Sequence, residues 1–199
     1  MRAGLAFLLL ASGACRAGVP RDWPAVQAAT VEPELPGRHE PRTQHDRDTG
    51  GLLHEWRVWI VPGRGAIKDG VERIWHRNGN LHWEREFARG KPTGTWKSWY
   101  EDGTPRAECH YRGPTVETTM SFWFEDGQLS AQGPAADGAR RGLWRFWWRN
   151  GRLAEQGAYR EGMKEGIWQA WSEDGSERWE RVYERNTRVS QKVVEGSGP

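Results

Sequence analysis

Six histidines (His39, His45, His54, His76, His82 and His110) and two cysteines (Cys15 and Cys109) are the residues that could ligate a metal. They do not compose a zinc site, because no second mature cysteine completes one. Cys109 and His110 are adjacent, as a thiolate and imidazole pair would want, but neighbours on a strand point to opposite faces, with Cys109 toward the core. No Gly-x-Ser-x-Gly elbow, phosphate-binding glycine loop or Asp-x-Asp-x-Asp-Gly calcium loop occurs. The carboxylates that recur, Glu101, Asp102, Glu125, Asp126, Glu173 and Asp174, sit at glycine turns as solvated residues, with weak cation binding as the alternative. The sequence therefore offers no catalytic residue, no cofactor and no metal centre.

Two constellations could bind. Residues 139–152 carry Arg140, Arg141, Arg145, Arg149 and Arg152 among aromatic residues with no acid. Such a patch can hold lipid-headgroup, lipopolysaccharide or nucleic-acid phosphates; the competing reading is a solvated hairpin whose arginines meet Glu161 and Glu165 of the next copy. Trp75, Trp99, Trp123, Trp147 and Trp171 form the second, a column of identical residues. It is either a second minor core covered by loops or the linker, or an exposed ladder for a protein or an envelope glycan.

The elements that position these side chains follow from a repeat. Asn78-Gly79, Asp102-Gly103, Asp126-Gly127, Asn150-Gly151 and Asp174-Gly175 recur every 24 residues without a slip. Asn-Gly and Asp-Gly between apolar runs signal hairpins with a type I′ turn, so each copy is one β-hairpin, preceded by a half-copy at 54–63. Counting outward from a two-residue turn pairs Tyr100 with Pro105, Trp99 with Arg106, Lys97 with Glu108 and Gly94 with Tyr111. The same count sets Gly70, Gly142 and Gly166 across from Phe87, Tyr159 and Tyr183, rings that can cover them, and Thr118 across from Ala135.

Alternation then puts Trp96, Tyr100, Met120, Phe122, Phe124, Leu129, Trp144, Phe146, Trp148 and Leu153 on the core face, with Trp168 in the same column as Trp96. The tryptophan column takes the other face, beside Arg73, Glu84, Lys97, Glu108, Ser121, Gln132, Arg145, Gln156, Gln169 and Glu180. The expected fold is all-β, an elongated single-sheet solenoid of five tandem 24-residue hairpins, a ten-stranded ribbon on the order of 50 Å long.

The chain of 199 residues has room for one such domain and flexible ends, and its 14 Trp and 25 Gly argue against a helical bundle. A formal charge of +2 gives no field for nucleic acid, and none is expected as a partner. The apolar run after Arg2 is half a bilayer span and reads as a signal peptide over 1–15. Its end, Gly13-Ala14-Cys15, resembles a bacterial lipoprotein signal in which Cys15 is lipidated; Ser12 stands where that pattern carries Leu, so ordinary cleavage after Ala14 or Ala17 stays open. Residues 16–51, with five prolines among polar residues, read as a disordered linker, 52–186 as the repeat domain and 187–199 as a flexible tail.

Phe87-Ala88-Arg89-Gly90-Lys91-Pro92-Thr93-Gly94-Thr95-Trp96 and the matching run from Tyr159 to Trp168 resemble the signature of MORN repeats. Trp99-Tyr100-Glu101-Asp102-Gly103 resembles the bacterial variant known from YwqK-type antitoxin-like proteins. The third copy departs, with Gly113 one place early and Thr118 and Met120 replacing Gly and Trp. The resemblance implies a hairpin solenoid that scaffolds protein or lipid contacts and implies no reaction. The expected function is a non-catalytic, exported or lipid-anchored scaffold facing the periplasm or cell surface and binding a protein, or else a membrane lipid or envelope glycan. The alternative is an antitoxin-like or immunity protein that neutralises its partner by binding.

Overall fold

The computed structural model describes residues 37–111, 118–136 and 139–194. Its strands are β1 (Arg38–His45), β2 (Leu52–Val61), β3 (Gly65–Lys68), β4 (Gly70–Trp75), β5 (Leu81–Ala88), β6 (Lys91–Trp99), β7 (Pro105–Tyr111), β8 (Thr118–Trp123), β9 (Leu129–Ala136), β10 (Ala139–Arg140), β11 (Gly142–Trp147), β12 (Leu153–Arg160), β13 (Met163–Trp171), β14 (Arg178–Glu184) and β15 (Thr187–Val193). All join one antiparallel sheet, in which thirteen follow one another from β1 to β15 while β3 pairs only with β2 and β10 only with β9. Twelve steps of about 4.8 Å make that path roughly 60 Å long.

The counted register holds through the body of each hairpin. Gly94 faces Tyr111, Lys97 faces Glu108, and Gly70, Gly142 and Gly166 face Phe87, Tyr159 and Tyr183. Near the turns it does not: Trp99 pairs with Pro105 instead of Arg106. The turn itself is the reason. Gly103 N–H donates to the Tyr100 carbonyl at 3.0 Å, and Tyr100 N–H donates to the Thr104 carbonyl at 2.9 Å, which closes a three-residue loop. Only the glycine of the pair takes a positive φ, 91° at Gly103. Asp102 instead accepts the Thr104 N–H through Oδ1 at 2.8 Å, and Asn78, Asp126 and Asn150 do the same in their loops. The loop is a type I turn with a left-handed glycine, and the expected type I′ turn is absent here.

A bulge then restores the register. His82, Arg106, Ser130 and Ala154 are the extra residues in the first four copies. In the fifth, Ser172 N–H reaches one residue further, to the Glu177 carbonyl, and the register shows no shift. Turns with positive φ at both central residues lie at the opposite strand ends, at Arg89-Gly90, Glu161-Gly162 and Arg185-Asn186.

The bulges also correct the assignment of faces. Ser130 and Ala131 are neighbours, yet both are buried, which strict alternation forbids. Leu129 and Leu153, expected in the core, lie opposite Trp123 and Trp147. Tyr100, Phe124 and Trp148 are half-buried at the turns, where Tyr100 Oη donates to the Trp123 carbonyl at 2.8 Å and Trp148 Nε1 to the Trp171 carbonyl at 3.1 Å.

Trp96, Met120, Trp144 and Trp168 form the spine of the core, each exposed by 1% or less. Each strand that delivers one of the three tryptophans bends or breaks two residues earlier. Against β5, the register of β6 shifts by two residues between Lys97 and Thr93, across Gly94, and β13 shifts against β12 across Gly166. The indole N–H groups of Trp96, Trp144 and Trp168 donate to the carbonyls of Glu86, Pro134 and Ala158 at 2.9, 2.7 and 3.1 Å. The glycines are there for their left-handed backbone, with φ of 62° at Gly94 and 70° at Gly166. The facing rings do not cover them: a Cβ at Gly94 would meet the Glu86 carboxylate, while Tyr111 packs on Trp96 at 4.9 Å.

Two boundaries shift. Arg38–His45, read as linker, is strand β1 paired with β2, and Thr187–Val193, read as tail, is strand β15 paired with β14. Both are edge strands exposed along nearly their whole length, so neither carries the apolar alternation that marks an inner strand. Cys15 and the signal segment lie outside the described residues.

Candidate functional site

Opposite the core, one row of cross-strand partners crosses all thirteen strands without a gap. It runs Thr43, Glu55, Arg73, Glu84, Lys97, Glu108, Ser121, Gln132, Arg145, Gln156, Gln169, Glu180, Lys192. Most of the row satisfies itself. Arg73 pairs with Glu84 at 2.7 Å and Glu55 at 3.0 Å, Lys97 with Glu108 at 3.6 Å, and Lys192 with Glu180 at 2.6 Å. Gln132 Nε2 donates to Ser121 Oγ at 3.0 Å and Gln156 Nε2 to Gln169 Oε1 at 2.7 Å. Arg145 is the one charge in the row without an ion pair among the described residues. Two positions along the strands from this row lie Val71, Leu143 and Ile167, the last two exposed by 46% and 64%.

The tryptophan column flanks the row on its other side. Trp75, Trp99, Trp123 and Trp147 are half-buried, and Trp171 is buried at 5% exposure. Because the bulges slip the register, the first four face Leu81, Pro105, Leu129 and Leu153 across the strand pair. An open aromatic ladder is therefore not what the column presents; the exposed apolar side chains of this face are those on the far side of the row.

The structure disperses the arginine patch. Arg140 lies over the Trp144, Phe146 and Tyr159 rings at 4.4 to 5.3 Å and donates to Tyr159 Oη at 3.0 Å. Arg149 pairs with Asp126 at 3.2 Å, and Arg152 donates to the Asp174 carbonyl. Arg145 sits in the polar row and Arg141 is exposed. Among the described residues an acid of a neighbouring copy meets Arg149, and that acid is Asp126 in place of the expected Glu161 or Glu165.

Two features escaped the sequence reading. Lys68, Arg140 and Lys164 share one column and each lies over aromatic rings of the core, Lys164 4.0 Å from the Trp168 centroid. Glu72 occupies the place of Trp96 one copy earlier and is exposed by only 1%. His54 Nε2 lies 2.8 Å from its Oε1, Arg85 Nη2 2.8 Å from its Oε2, and Lys68 contacts Oε1 as well. A comparison of positions 24 residues apart, extended to charged residues, finds both.

Cys109 is fully buried, and burial pushes its thiol up, while His110 points outward to Thr95 and Glu108. No group of three or more His, Cys, Asp or Glu side chains among the described residues is placed to hold a metal.

No curated protein matches the chain. Residues 92–112, which run from the bent half of β6 through the Asp102-Gly103 turn and past β7, match the family model described as MORN repeat variant. MORN repeats are generally non-catalytic binding repeats. The flanking copies repeat the hairpin register of the matched residues, and most repeat its bend and turn, so the matched residues are one copy in a tandem array of MORN-like β-hairpins.

Proposed function

We propose that this chain is a non-catalytic scaffold, exported and anchored at Cys15, that binds an envelope protein through the polar-row face of its sheet. One observation carries the reading: in a continuous row of thirteen side chains Arg145 is the one charge without an ion pair among the described residues, and exposed Leu143 and Ile167 lie along the same side of that row. Exposed apolar side chains beside a cation with no ion pair among the described residues, on a hydrogen-bonded face, are what a protein partner can use. The anchor reading rests on Gly13-Ala14-Cys15 after the apolar run.

The test uses the full chain in detergent as bait for solubilised envelope proteins. Its comparison is the variant Leu143→Glu, Arg145→Glu, Ile167→Glu, shown by its melt to be folded. A protein held by the intact chain, lost with the variant, and bound again after purification supports the face. Equal retention by both forms removes it. Cys15→Ala should move the protein from the membrane fraction to the soluble one, and unchanged fractionation removes the anchor.

A further inference from the structure

We propose that the cleft between the second and third hairpin turns binds a guanidinium group, supplied by an arginine of the protein partner. The cleft measures about 480 Å³ and is lined by His76, Trp99, Tyr100, Glu101, Asp102, Arg106 and Glu125. Its formal charge is negative, three carboxylates against one guanidinium. Tyr100 is held in place by its hydrogen bond to the Trp123 carbonyl at 2.8 Å. Glu101 and Glu125 are exposed, and neither side chain makes an ion pair among the described residues.

The next copy shows what such a site takes. Moved on by 24 residues, Trp99, Tyr100 and Asp102 become Trp123, Phe124 and Asp126, and Glu125 becomes Arg149. There the Arg149 guanidinium sits 4.8 Å from the Phe124 ring centroid and 3.2 Å from Asp126 Oδ2. Ring and acid are thus filled by a cation from the chain's own following turn. In the second copy the same ring and acid are present, but the following turn offers Glu125, an added acid where the filling cation would be. A flat guanidinium can stack on the ring and donate to two carboxylates in one plane, which an ammonium cannot.

The chemistry of the site stands on this geometry alone; only the source of the guanidinium rests on the binding role proposed above. The probes are ethylguanidinium chloride and an acetylated, amidated Gly-Arg-Gly peptide, followed by the Trp99 indole N–H shift in a nitrogen-15 correlation spectrum of the full chain. Saturable shifts are expected with both, tighter for the peptide. Glu125→Gln should weaken binding about fivefold, and Glu125→Arg should abolish it by filling the cleft as Arg149 fills its own. Glu173→Gln, two copies away, should change nothing. Wild-type binding by a folded Glu125→Arg variant overturns the site, as does a shift that never saturates. Ethylguanidinium binding without any gain for the peptide overturns the partner as source. If the sheet-face variant leaves envelope capture unchanged while these shifts persist, the sheet-face reading fails and the cleft stands.

Discussion

Glu72 replaces a core tryptophan with a buried carboxylate, and its neighbours decide whether that is tolerable. Burial alone raises its pKa, but the Lys68 hydrogen bond, the Arg85 charge and the His54 hydrogen bond outweigh it and hold the carboxyl below its ordinary 4.5. A lowered folded-state pKa means a contribution to stability that is complete above the ordinary value and is lost as pH falls through the lowered one. Glu72→Gln should therefore cost about 3 kcal/mol at neutral pH, the low end for opening a buried pair because Lys68 is partly solvated. The same variant should lose less stability than the wild type between pH 7 and about pH 3. Denaturant melts across that range read both effects, and parallel acid losses in the two proteins would mean that Glu72 is not the group responsible.

At the scale of the hairpin, the period and the body register were legible because glycine dipeptides at a fixed interval leave one way to count. The turn type was not. Asp-Gly suits a type I′ turn and a type I turn with a left-handed glycine alike, and the two differ by one residue that the His82, Arg106, Ser130 and Ala154 bulges absorb. That single residue moved Leu129 and Leu153 across the sheet to face Trp123 and Trp147, so the surroundings of the tryptophan column were not legible either. The bend glycines were found but their role was misread. Since Gly94 holds a φ of 62° with Glu86, not Tyr111, beside it, Gly94→Ala should cost about 1–2 kcal/mol from its left-handed backbone. A Tyr111→Ala change should add its own loss without recovering any of this one. A double-mutant cycle in thermal melts tests the pair, and recovery in the double variant would restore the ring-over-glycine account.

Across the whole molecule, contacts reach from one copy to the next and little further. Trp148 reaches Trp171, Asn150 reaches the Glu173 carbonyl at 2.8 Å, and Asn78 reaches the Glu101 carbonyl at 2.6 Å, each at a separation of 23 residues. A sheet of that kind is a stack of nearest-neighbour interfaces, and its stability follows the number of copies. Removing residues 142–165, one whole period, brings Arg141 onto Gly166 with every column still in register and β9 facing the remainder of β13. The shortened chain should keep a cooperative melt at a lower temperature, with the polar row two residues shorter. Removing twelve residues instead, such as 142–153, reverses the direction of every later strand relative to the copies before the cut and puts Trp168 out of its column; it should leave the C-terminal copies unfolded. Circular dichroism melts of the two deletions decide the point. Equal loss of structure in both would show that the copies do not stack independently, and that the edge strands β1 and β15, which carry no repeat signature of their own, close the sheet as a single unit.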